Sequence, residues 1–371
     1  MKRKGWVLFM LSLALILVLA ACGKGGSDNS GGSANSGSTG TSGSSNAGSS
    51  GGSDSGNSGS SDGSGSSGGS FTIAIVPKLV GIPYFNASET GAKQAGADLG
   101  VEVIYTGPTE ADAAQQVKVI EDLISKKVDA IAVAPNDPAA LTPVLKKAKE
   151  AGILVMDWDT PADQSVVELS VHQIDDKVFG EHLVDKLVEF MGDTGEFAIV
   201  TGGLSANNLN TWIDYGLEHA KANYPGLKLV TERVPSDEKQ QVAYQKTLDL
   251  IKAYPNLKGI LGYSTPAPLG VAQAVQEKGL QDQIAVVGSA LPTDSGPYLE
   301  DGSLDVASLW DPAKLGYLTV YLAKHLLEGN TVENGMEVPN VGTIEVKSDG
   351  KTVIMGPPSD FTKENYKDYN F

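Results

Sequence analysis

Residues 71–105 read FTIAIVPKLVGIPYFNASETGAKQAGADLGVEVIY, and this stretch decides the fold. It opens with a short apolar, partly β-branched run, Phe71 to Val76, and closes with a second one, Val101 to Tyr105. Between them, Ala87 to Leu99 has the apolar spacing of an amphipathic helix. A strand, a helix and another strand in this order predict a βαβ unit with parallel strands.

The same alternation continues along the chain and predicts an α/β fold with mostly parallel sheets. Further strands are predicted at 128–134, 153–157, 166–171, 196–201, 227–233, 258–263, 284–288 and 304–309. Further helices are predicted at 111–126, 139–151, 177–191, 211–224, 239–254, 266–278 and 313–328. Because 71–371 is long for one domain, we expect two lobes with a cleft between them.

The N-terminus has the pattern of an export signal. Lys2, Arg3 and Lys4 precede the apolar run WVLFMLSLALILVLAAC at 6–22, which closes on small residues and a cysteine. Cys22 is the chain's only cysteine, so we expect it to carry a lipid anchor after removal of the signal peptide. An ordinary signal peptide with an incidental cysteine is the alternative. A transmembrane helix is less well supported because the run is short and ends in small residues.

Residues 23–70 are almost entirely Gly and Ser with scattered Asn, Asp and Thr, which predicts a disordered tether. A tether of this length suits a thick wall and favours a Gram-positive surface protein, lipid-anchored to the outer face of the cell membrane, although a stalk without a length requirement has the same composition. The net charge of −17 argues against nucleic acid as a partner and against direct adsorption to anionic lipid.

Polar and aromatic residues follow the predicted strands, where ligands bind in open α/β sheets. The ligand-binding candidates are Lys78, Tyr84, Phe85, Trp158, Asp159, Asn208, Asn210, Ser264, Thr265, Ala290, Trp310 and Asp311. Carboxylates and amides can bind adjacent hydroxyls in forked geometry, and aromatic faces can cover the apolar face of a sugar ring. The inventory therefore points to a polyol or sugar.

Each group has an alternative interpretation. The aromatic residues could belong to the core, and Asp159 could cap a turn. Asp157 lies inside a strand run and is better explained as structural. Asn207, Asn208 and Asn210 precede a predicted helix and could be N-caps, so we expect only one or two of them to touch ligand.

Several segments carry a resemblance to a known family: PKLVG at 77–81, YTGPTE at 105–110, WD at 158–159, ALP at 290–292, LWDP at 309–312 and LGY at 315–317. With these the chain resembles the type I periplasmic-binding-protein family over 71–371, in particular its autoinducer-2 (AI-2) and rhamnose receptors. The resemblance implies two Rossmann-like lobes with parallel sheets, joined by three crossovers near 174, 310 and 342. The lobes would be 71–174 plus 311–341 and 175–310 plus 342–371.

The resemblance also implies site residues. In AI-2 receptors a lysine matched by Lys78 and an aspartate matched by Asp159 contact the ligand. This chain departs from their second-lobe pattern, because it has Asn208-Leu209 where they have Asp-Gln, and Tyr263-Ser264-Thr265 where they have Pro-Asp-Ala. The LWDP and LGY segments look more like the rhamnose receptors. A 6-deoxyhexose such as rhamnose, or a related aldose, is therefore the expected ligand.

The function expected is that of a monomeric, membrane-anchored solute-binding lipoprotein serving the permease of an ABC importer. An AI-2 receptor, or a sugar-sensing co-receptor for a membrane signalling protein, is the alternative. An enzyme is not expected, because segment 71–371 contains no HExxH, no GxSxG elbow and no GxGxxG after a predicted strand. No cofactor is expected. No metal is expected either: the four histidines lack ligand spacing, and Asp157, Asp159 and Asp163 lack the full series of an EF-hand.

Overall fold

The computed structural model of the chain describes residues 70–371. The strands are β1 (Thr72–Val76), β2 (Glu102–Tyr105), β3 (Ala130–Val133), β4 (Leu154–Trp158), β5 (Leu169–His172), β6 (Thr194–Thr201), β7 (Gly226–Leu229), β8 (Val234–Pro235), β9 (Leu257–Gly262), β10 (Ala285–Gly288), β11 (Val306–Leu309), β12 (Glu337–Val338), β13 (Gly342–Thr343), β14 (Glu345–Val346), β15 (Thr352–Ile354) and β16 (Ser359–Phe361). The helices are α1 (Pro83–Leu99), α2 (Ala113–Lys126), α3 (Pro138–Glu150), α4 (Asp176–Met191), α5 (Asn207–Asn223), α6 (Gln240–Ala253), α7 (Pro266–Lys278), α8 (Pro292–Asp301) and α9 (Pro312–Leu327). The expected signal peptide, Cys22, and all of the expected tether except Ser70 lie outside the described residues.

The first sheet has the strand order β14-β15-β5-β4-β3-β1-β2 and is parallel except for the β14–β15 pair. Its central strand β1 is covered on both faces. Ile73 and Ile75 pack into one cluster with residues of α1 and α9, while Ala74 and Val76 pack into another with residues of α2 and α3. Successive side chains of a strand point to opposite faces, so a continuous apolar run fits this doubly covered position.

Two glycines let α1 and α9 approach each other closely. A Cβ at Gly91 would lie 1.8 Å from the carbonyl oxygen of Ala313, and one at Gly316 would lie 2.0 Å from that of Ser88. Neither position tolerates a side chain without movement of the backbone. This contact brings the first turn of α1, with Tyr84, beside Trp310, which immediately precedes α9.

The second sheet has the order β16-β11-β10-β9-β6-β7, with β8 also paired to β6. Its strands are parallel except for β16, which runs antiparallel to β11. Helix α4 packs against α5 and against β9 and β10, and α6 packs against α7. The two sheets with their helices form the two lobes, so the expected fold class of two α/β lobes with mostly parallel sheets is confirmed.

The chain passes between the two sheets after β5, after β11 and after β15. The expected position of the third crossover, near residue 342, is wrong. Strand β15 pairs with β5 of the first sheet, and β16 pairs with β11 of the second, so the chain crosses at 355–358. Residues 345–354 thus belong to the first lobe. Strands of two or three residues have too little periodicity to be found from sequence.

Two helices begin earlier than the sequence predicts. Helix α1 starts at Pro83, so Tyr84 and Phe85 lie in its first turn and not in the preceding loop. Proline is well suited to the first helical position because its missing N–H has no intrahelical partner there. Helix α5 starts at Asn207 with Ala206 as N-cap, so the interpretation of Asn207, Asn208 and Asn210 as N-caps is wrong.

Candidate functional site

A cavity lies between the two lobes, at the carboxyl ends of strands from both sheets. It has a volume of about 40 Å³. It is lined from the first lobe by Lys78, Ile82, Tyr84, Phe85 and Asp159, from the second by Asn208, Leu209, Trp212, Glu238, Ser264, Thr265, Ser289 and Leu309, and at the second crossover by Trp310. The position agrees with the rule that ligands of open α/β sheets bind beyond the strand ends.

Asp159 is the centre of the first-lobe wall. It follows β4 in a left-handed conformation, with φ of +61°, which Asp tolerates better than most residues. Its side chain is 4% exposed. Oδ1 accepts a hydrogen bond from the Tyr84 hydroxyl at 2.6 Å, and Oδ2 accepts one from Thr160 Oγ1 at 3.0 Å. The carboxylate is therefore held in one orientation before any ligand arrives.

Lys78 connects the two walls. Its Nζ lies 3.5 Å from Asp159 Oδ2 and donates to Asn208 Oδ1 of the second lobe at 2.9 Å. Asn208 Nδ2 in turn donates to the backbone oxygen of Asp159 at 3.3 Å. Lys78 is only 4% exposed, and a buried ammonium needs such partners to offset its lost hydration.

Tyr84 is a neutral donor in this arrangement. Burial, followed by the nearby negative charge of Asp159, raises the pKa of Tyr84 well above its usual range. Its hydroxyl donates to Asp159 and accepts from Trp310 Nε1 at 3.0 Å. The Tyr84 hydroxyl is thus held in place by one hydrogen bond that it donates and one that it accepts.

The second-lobe wall presents polar groups without protein partners. The buried hydroxyl of Ser289, at the end of β10, has no hydrogen-bond partner among residues 70–371. The buried hydroxyl of Ser264, at the end of β9, lies near the Glu238 carboxyl but forms no hydrogen bond of good geometry with the residues described. Glu238 is 8% exposed and forms no ion pair with the residues described. Burial raises the pKa of Glu238, and the charge of Lys78 opposes that shift.

An aromatic group closes one end of the cavity. Trp310 packs edge-to-face against Phe179 at 5.4 Å and against Trp212 at 5.8 Å between ring centroids. Trp212 Nε1 donates to Asp176 Oδ1 at 2.6 Å, which orients the indole. The cavity thus presents carboxylate, ammonium, amide and hydroxyl groups on two sides, with indole rings beside them. Such a lining can bind a small polyhydroxylated molecule.

The structure brings eight of the twelve candidate residues to the cavity: Lys78, Tyr84, Phe85, Asp159, Asn208, Ser264, Thr265 and Trp310. The four others, Trp158, Asn210, Ala290 and Asp311, do not line it, and their expected ligand contacts stay predictions.

Each of the four has another role or position. Trp158 is fully buried and packs edge-to-face against Phe85 at 5.9 Å, as its alternative interpretation as a core aromatic residue proposed. Asn210 donates to the backbone oxygen of Leu204 and accepts from Arg233. Asp311 caps α9 by accepting from the backbone N–H of Ala313 at 2.9 Å. Ala290 is fully buried.

The twelve candidates left out six lining residues: Ile82, Leu209, Trp212, Glu238, Ser289 and Leu309. Trp212 lies four residues after Asn208, and residues at that spacing share one face of a helix. An earlier predicted start of α5 would have indicated it. Glu238 follows β8, a strand of two residues, and had no signal of its own.

Asp157 belongs to a separate buried network below the cavity. It accepts from the Ala162 backbone N–H at 2.7 Å and from Ser170 Oγ. Ser170 Oγ lies 3.0 Å from His172 Nε2, and His172 Nδ1 lies 3.6 Å from Asp176 Oδ2 in the second lobe. Burial raises the pKa of Asp157 to about 6. Burial lowers the pKa of His172, but Asp176 and other carboxylates outweigh it and raise the value overall.

Residues 70–371 contain no group of three or more His, Cys, Asp or Glu side chains placed to hold a metal ion. None of the helices in this part of the chain is both long and apolar enough to cross a membrane.

Comparison with known proteins places the chain in a family. The model of the periplasmic binding protein domain matches residues 73–331, so the chain belongs to the periplasmic-binding-protein family. The family resemblance recognised from the sequence is thereby confirmed.

Individual relatives bind sugars or related molecules. The D-ribose/D-allose-binding protein of Pseudomonas aeruginosa is 29% identical over 275 residues, which cover 71% of this chain and 84% of that protein. LsrB from Clostridium saccharobutylicum, solved in complex with AI-2, is 27% identical with a TM-score of 0.76, covering 81% of this chain and all of that one. An ABC transporter solute-binding protein from Clostridium phytofermentas with bound L-rhamnose is 29% identical, with a TM-score of 0.75. The match covers 81% of this chain and 98% of that one.

Proposed function

We propose that the protein is the extracytoplasmic receptor of an ABC sugar importer and captures a neutral sugar between its two lobes. The observation that carries the proposal is the cavity in which the paired Lys78 and Asp159 face the unpartnered hydroxyls of Ser264 and Ser289. Polar groups left unpaired in a buried site are costly, and a ligand rich in hydroxyls relieves that cost.

The chemistry of the lining favours a 6-deoxyhexose such as rhamnose, or a related aldose. A carboxylate accepts about four hydrogen bonds, so Asp159 can still accept from ring hydroxyls beside Tyr84 and Thr160. The indoles of Trp212 and Trp310 suit the apolar C–H face of a ring. Ile82, Leu209 and Leu309 add aliphatic surface that suits the methyl group of a deoxy sugar.

Ligand entry requires movement of the lobes. A cavity of about 40 Å³ holds only a few waters, since one water needs about 10–15 Å³ of such space. A sugar ring is several times larger, so it enters a more open form and the lobes then close on it. Small-angle scattering should show a smaller radius of gyration after addition of the sugar; an unchanged profile at saturation would contradict closure.

We further propose that the receptor is a monomeric lipoprotein that acts without enzymatic activity, cofactor or metal, and that it docks on the permease of its importer. Cys22, outside the described residues, would carry the lipid of a protein on the Gram-positive cell surface. Fractionation and mass analysis test this: Cys22→Ala should release the protein or leave it unprocessed. An unlipidated wild-type chain that stays at the membrane would contradict it.

A thermal-shift screen against aldoses, 6-deoxyhexoses, pentoses and AI-2 tests the proposed ligand class, with titration calorimetry on every compound that shifts the melting temperature. We expect L-rhamnose or a related aldose to raise it most. Failure of every sugar to shift it would contradict the proposal. So would a shift that persists unchanged in Asp159→Ala.

AI-2 is the second candidate, favoured by the Lys78–Asp159 pair and by the likeness to LsrB. Asn208 and Leu209, where AI-2 receptors have Asp and Gln, both line the cavity. The double variant Asn208→Asp, Leu209→Gln should therefore move preference toward AI-2. Wild-type binding of AI-2 at least as tight as of any aldose would make AI-2 the better assignment.

A further inference from the structure

A second, larger cavity adjoins the one between the lobes. Its volume is about 440 Å³. The two share Ile82, Glu238 and Thr265, and we call the larger one the outer cavity. Its walls come from the first turn of α1 and, across the cleft, from α6, α7 and α8. Pockets for small molecules usually measure about 300–1,000 Å³, a range that the outer cavity reaches and the inner one does not.

The outer cavity carries two acids that make no ion pair with other described residues. Asp294, at the start of α8, also forms no hydrogen bond with them, and burial alone raises its pKa. Glu238, at the junction of the two cavities, is more than nine-tenths buried. Both carboxylates can accept hydrogen bonds from hydroxyls and both repel an anion.

The remaining walls are largely apolar. Pro266 and Leu269 come from α7, and Tyr298 comes from α8. The Tyr298 hydroxyl accepts a hydrogen bond from Gln240 Nε2 at 3.4 Å. A sugar ring is apolar on its faces and rich in hydroxyls at its edge. The proline, leucine and tyrosine side chains can contact the faces, and the carboxylates can accept hydrogen bonds from the hydroxyls.

We propose that the outer cavity is a second subsite, which takes the aglycone ring or second sugar ring of a neutral glycoside whose first ring occupies the inner cavity. This inference rests on the proposed sugar-receptor function and extends it from free monosaccharides to glycosides. Lys78 is the one cation among the lining residues of the two cavities, against the acids Asp159, Glu238 and Asp294, so acidic sugars are excluded.

The test uses titration calorimetry on the full chain purified in detergent. The probes are L-rhamnose and D-glucose, their 4-nitrophenyl glycosides in both anomers, cellobiose, maltose and D-glucuronate. At least one glycoside or disaccharide should bind about tenfold or more tighter than its parent monosaccharide, because it buries a further ring. D-glucuronate should bind at least about tenfold more weakly than D-glucose.

Variants of the outer cavity separate the two sites. In Tyr298→Ala, the glycoside or disaccharide should bind no more than about threefold tighter than its parent monosaccharide. In Pro297→Trp, the larger side chain should prevent the second ring from entering the outer cavity. Both should leave monosaccharide affinity within about twofold. Asp294→Asn should weaken the extended probe by about threefold, whereas the matched exposed control Asp249→Asn should change nothing. Thermal unfolding checks that each variant is folded.

The outcomes are distinguishable. If monosaccharides bind and no glycoside binds more tightly, or if Tyr298→Ala and Pro297→Trp leave the glycoside unaffected, the second subsite is wrong while the receptor function stands. Glucuronate binding equal to that of glucose would overturn the charge assignment. If no probe binds and no sugar of the thermal-shift screen binds, the receptor function fails and the subsite with it.

Discussion

The two walls of the inner cavity differ in how their polar groups are satisfied. On the first-lobe wall, Tyr84 and Lys78 both contact Asp159, and these groups hold one another in place. On the second-lobe wall, the hydroxyls of Ser264 and Ser289 lack a protein partner in the part of the chain described. Both walls are buried, and both come from the ends of parallel strands.

This difference indicates two roles. The first-lobe wall is preorganised, so its geometry is established when the lobe folds and little ordering remains at binding. The second-lobe wall keeps hydroxyls whose hydrogen bonds form only with ligand, and each costs about 1–3 kcal/mol while unsatisfied. A substitution should therefore affect stability and affinity on the first wall, but mainly affinity on the second.

The largest expected effect is on Asp159. Asp159→Ala removes charge-assisted bonds to the ligand, and it leaves Lys78 without its carboxylate partner and the Tyr84 hydroxyl without its acceptor. The loss should cost about 2–4 kcal/mol of sugar binding, or roughly thirtyfold to thousandfold in affinity. Titration calorimetry measures it. Asp122→Ala, an exposed acid in the same lobe, is the control and should leave affinity unchanged. Sugar affinity within about twofold of wild type in Asp159→Ala would remove the first-lobe wall from the site.

Asp157 is a buried acid near the cavity that does not line it, so its substitution should affect stability and not sugar affinity, unlike that of Asp159. Its pKa of about 6 exceeds the ordinary value of 3.8, so the folded protein binds the proton more tightly. The protonated Asp157 side chain therefore adds to the free energy of unfolding in full below about pH 4, and this contribution is lost as the pH rises to about 6. At about 1.4 kcal/mol per pKa unit, the loss amounts to at most about 3 kcal/mol.

Asp157→Asn should therefore flatten the fall of unfolding free energy between pH 4 and 6, measured by urea denaturation at each pH. The fall should not vanish, because burial also raises the pKa of Asp305 to about 6. Sugar affinity at neutral pH should change far less than in Asp159→Ala. An unaltered pH profile would contradict the structural role of Asp157.

The second wall is tested by Ser264→Ala and Ser289→Ala. Each should weaken sugar binding by about 0.5–1.5 kcal/mol, roughly twofold to tenfold, because one hydrogen bond to ligand is lost. Ser289→Ala should not lower the midpoint of urea denaturation, since no protein hydrogen bond is removed. Ser264→Ala should lower it little, because Ser264 lies near Glu238 without a hydrogen bond of good geometry. Ser308→Ala, whose hydroxyl does bond Asp360, is the matched control and should lose stability instead. Unchanged sugar affinity in both Ser264→Ala and Ser289→Ala would contradict the proposed role of the second-lobe wall in binding ligand.

The smallest effect is expected at the rim, where Lys239 of the second lobe lies 2.9 Å from Glu110 of the first. This contact spans the cleft as Lys78–Asn208 does, but both side chains are at least half exposed. Exposed ion pairs contribute about 0–1 kcal/mol, so Lys239→Ala should change sugar affinity by no more than about fivefold, and less at high salt. A larger, salt-independent loss would show that the rim pair holds the lobes closed.

Long periodic segments were predictable from sequence and short ones were not. Helix α7 was predicted with its observed bounds, and the parallel strands were found near their true positions because burial on both faces requires apolar runs. Strands β14 to β16, of two or three residues, have no period, which is why the third crossover was misplaced.

The site divides in the same way. Lys78 and Asp159 follow clear strands and were found, whereas Glu238 follows a strand of two residues and was missed. Asp311 caps α9 and does not line the cavity, and sequence alone does not separate a helix N-cap from a binding carboxylate because both occur directly after a strand.

A crystal structure of the protein with the sugar that gives the largest thermal shift tests the two-wall account most directly. The account predicts one sugar ring between the lobes, with ring hydroxyls within hydrogen-bond distance of Asp159 and Lys78 on one side and of Ser264 and Ser289 on the other. A sugar bound outside this cavity, or inside it with the Ser264 and Ser289 hydroxyls still without partners, would contradict it.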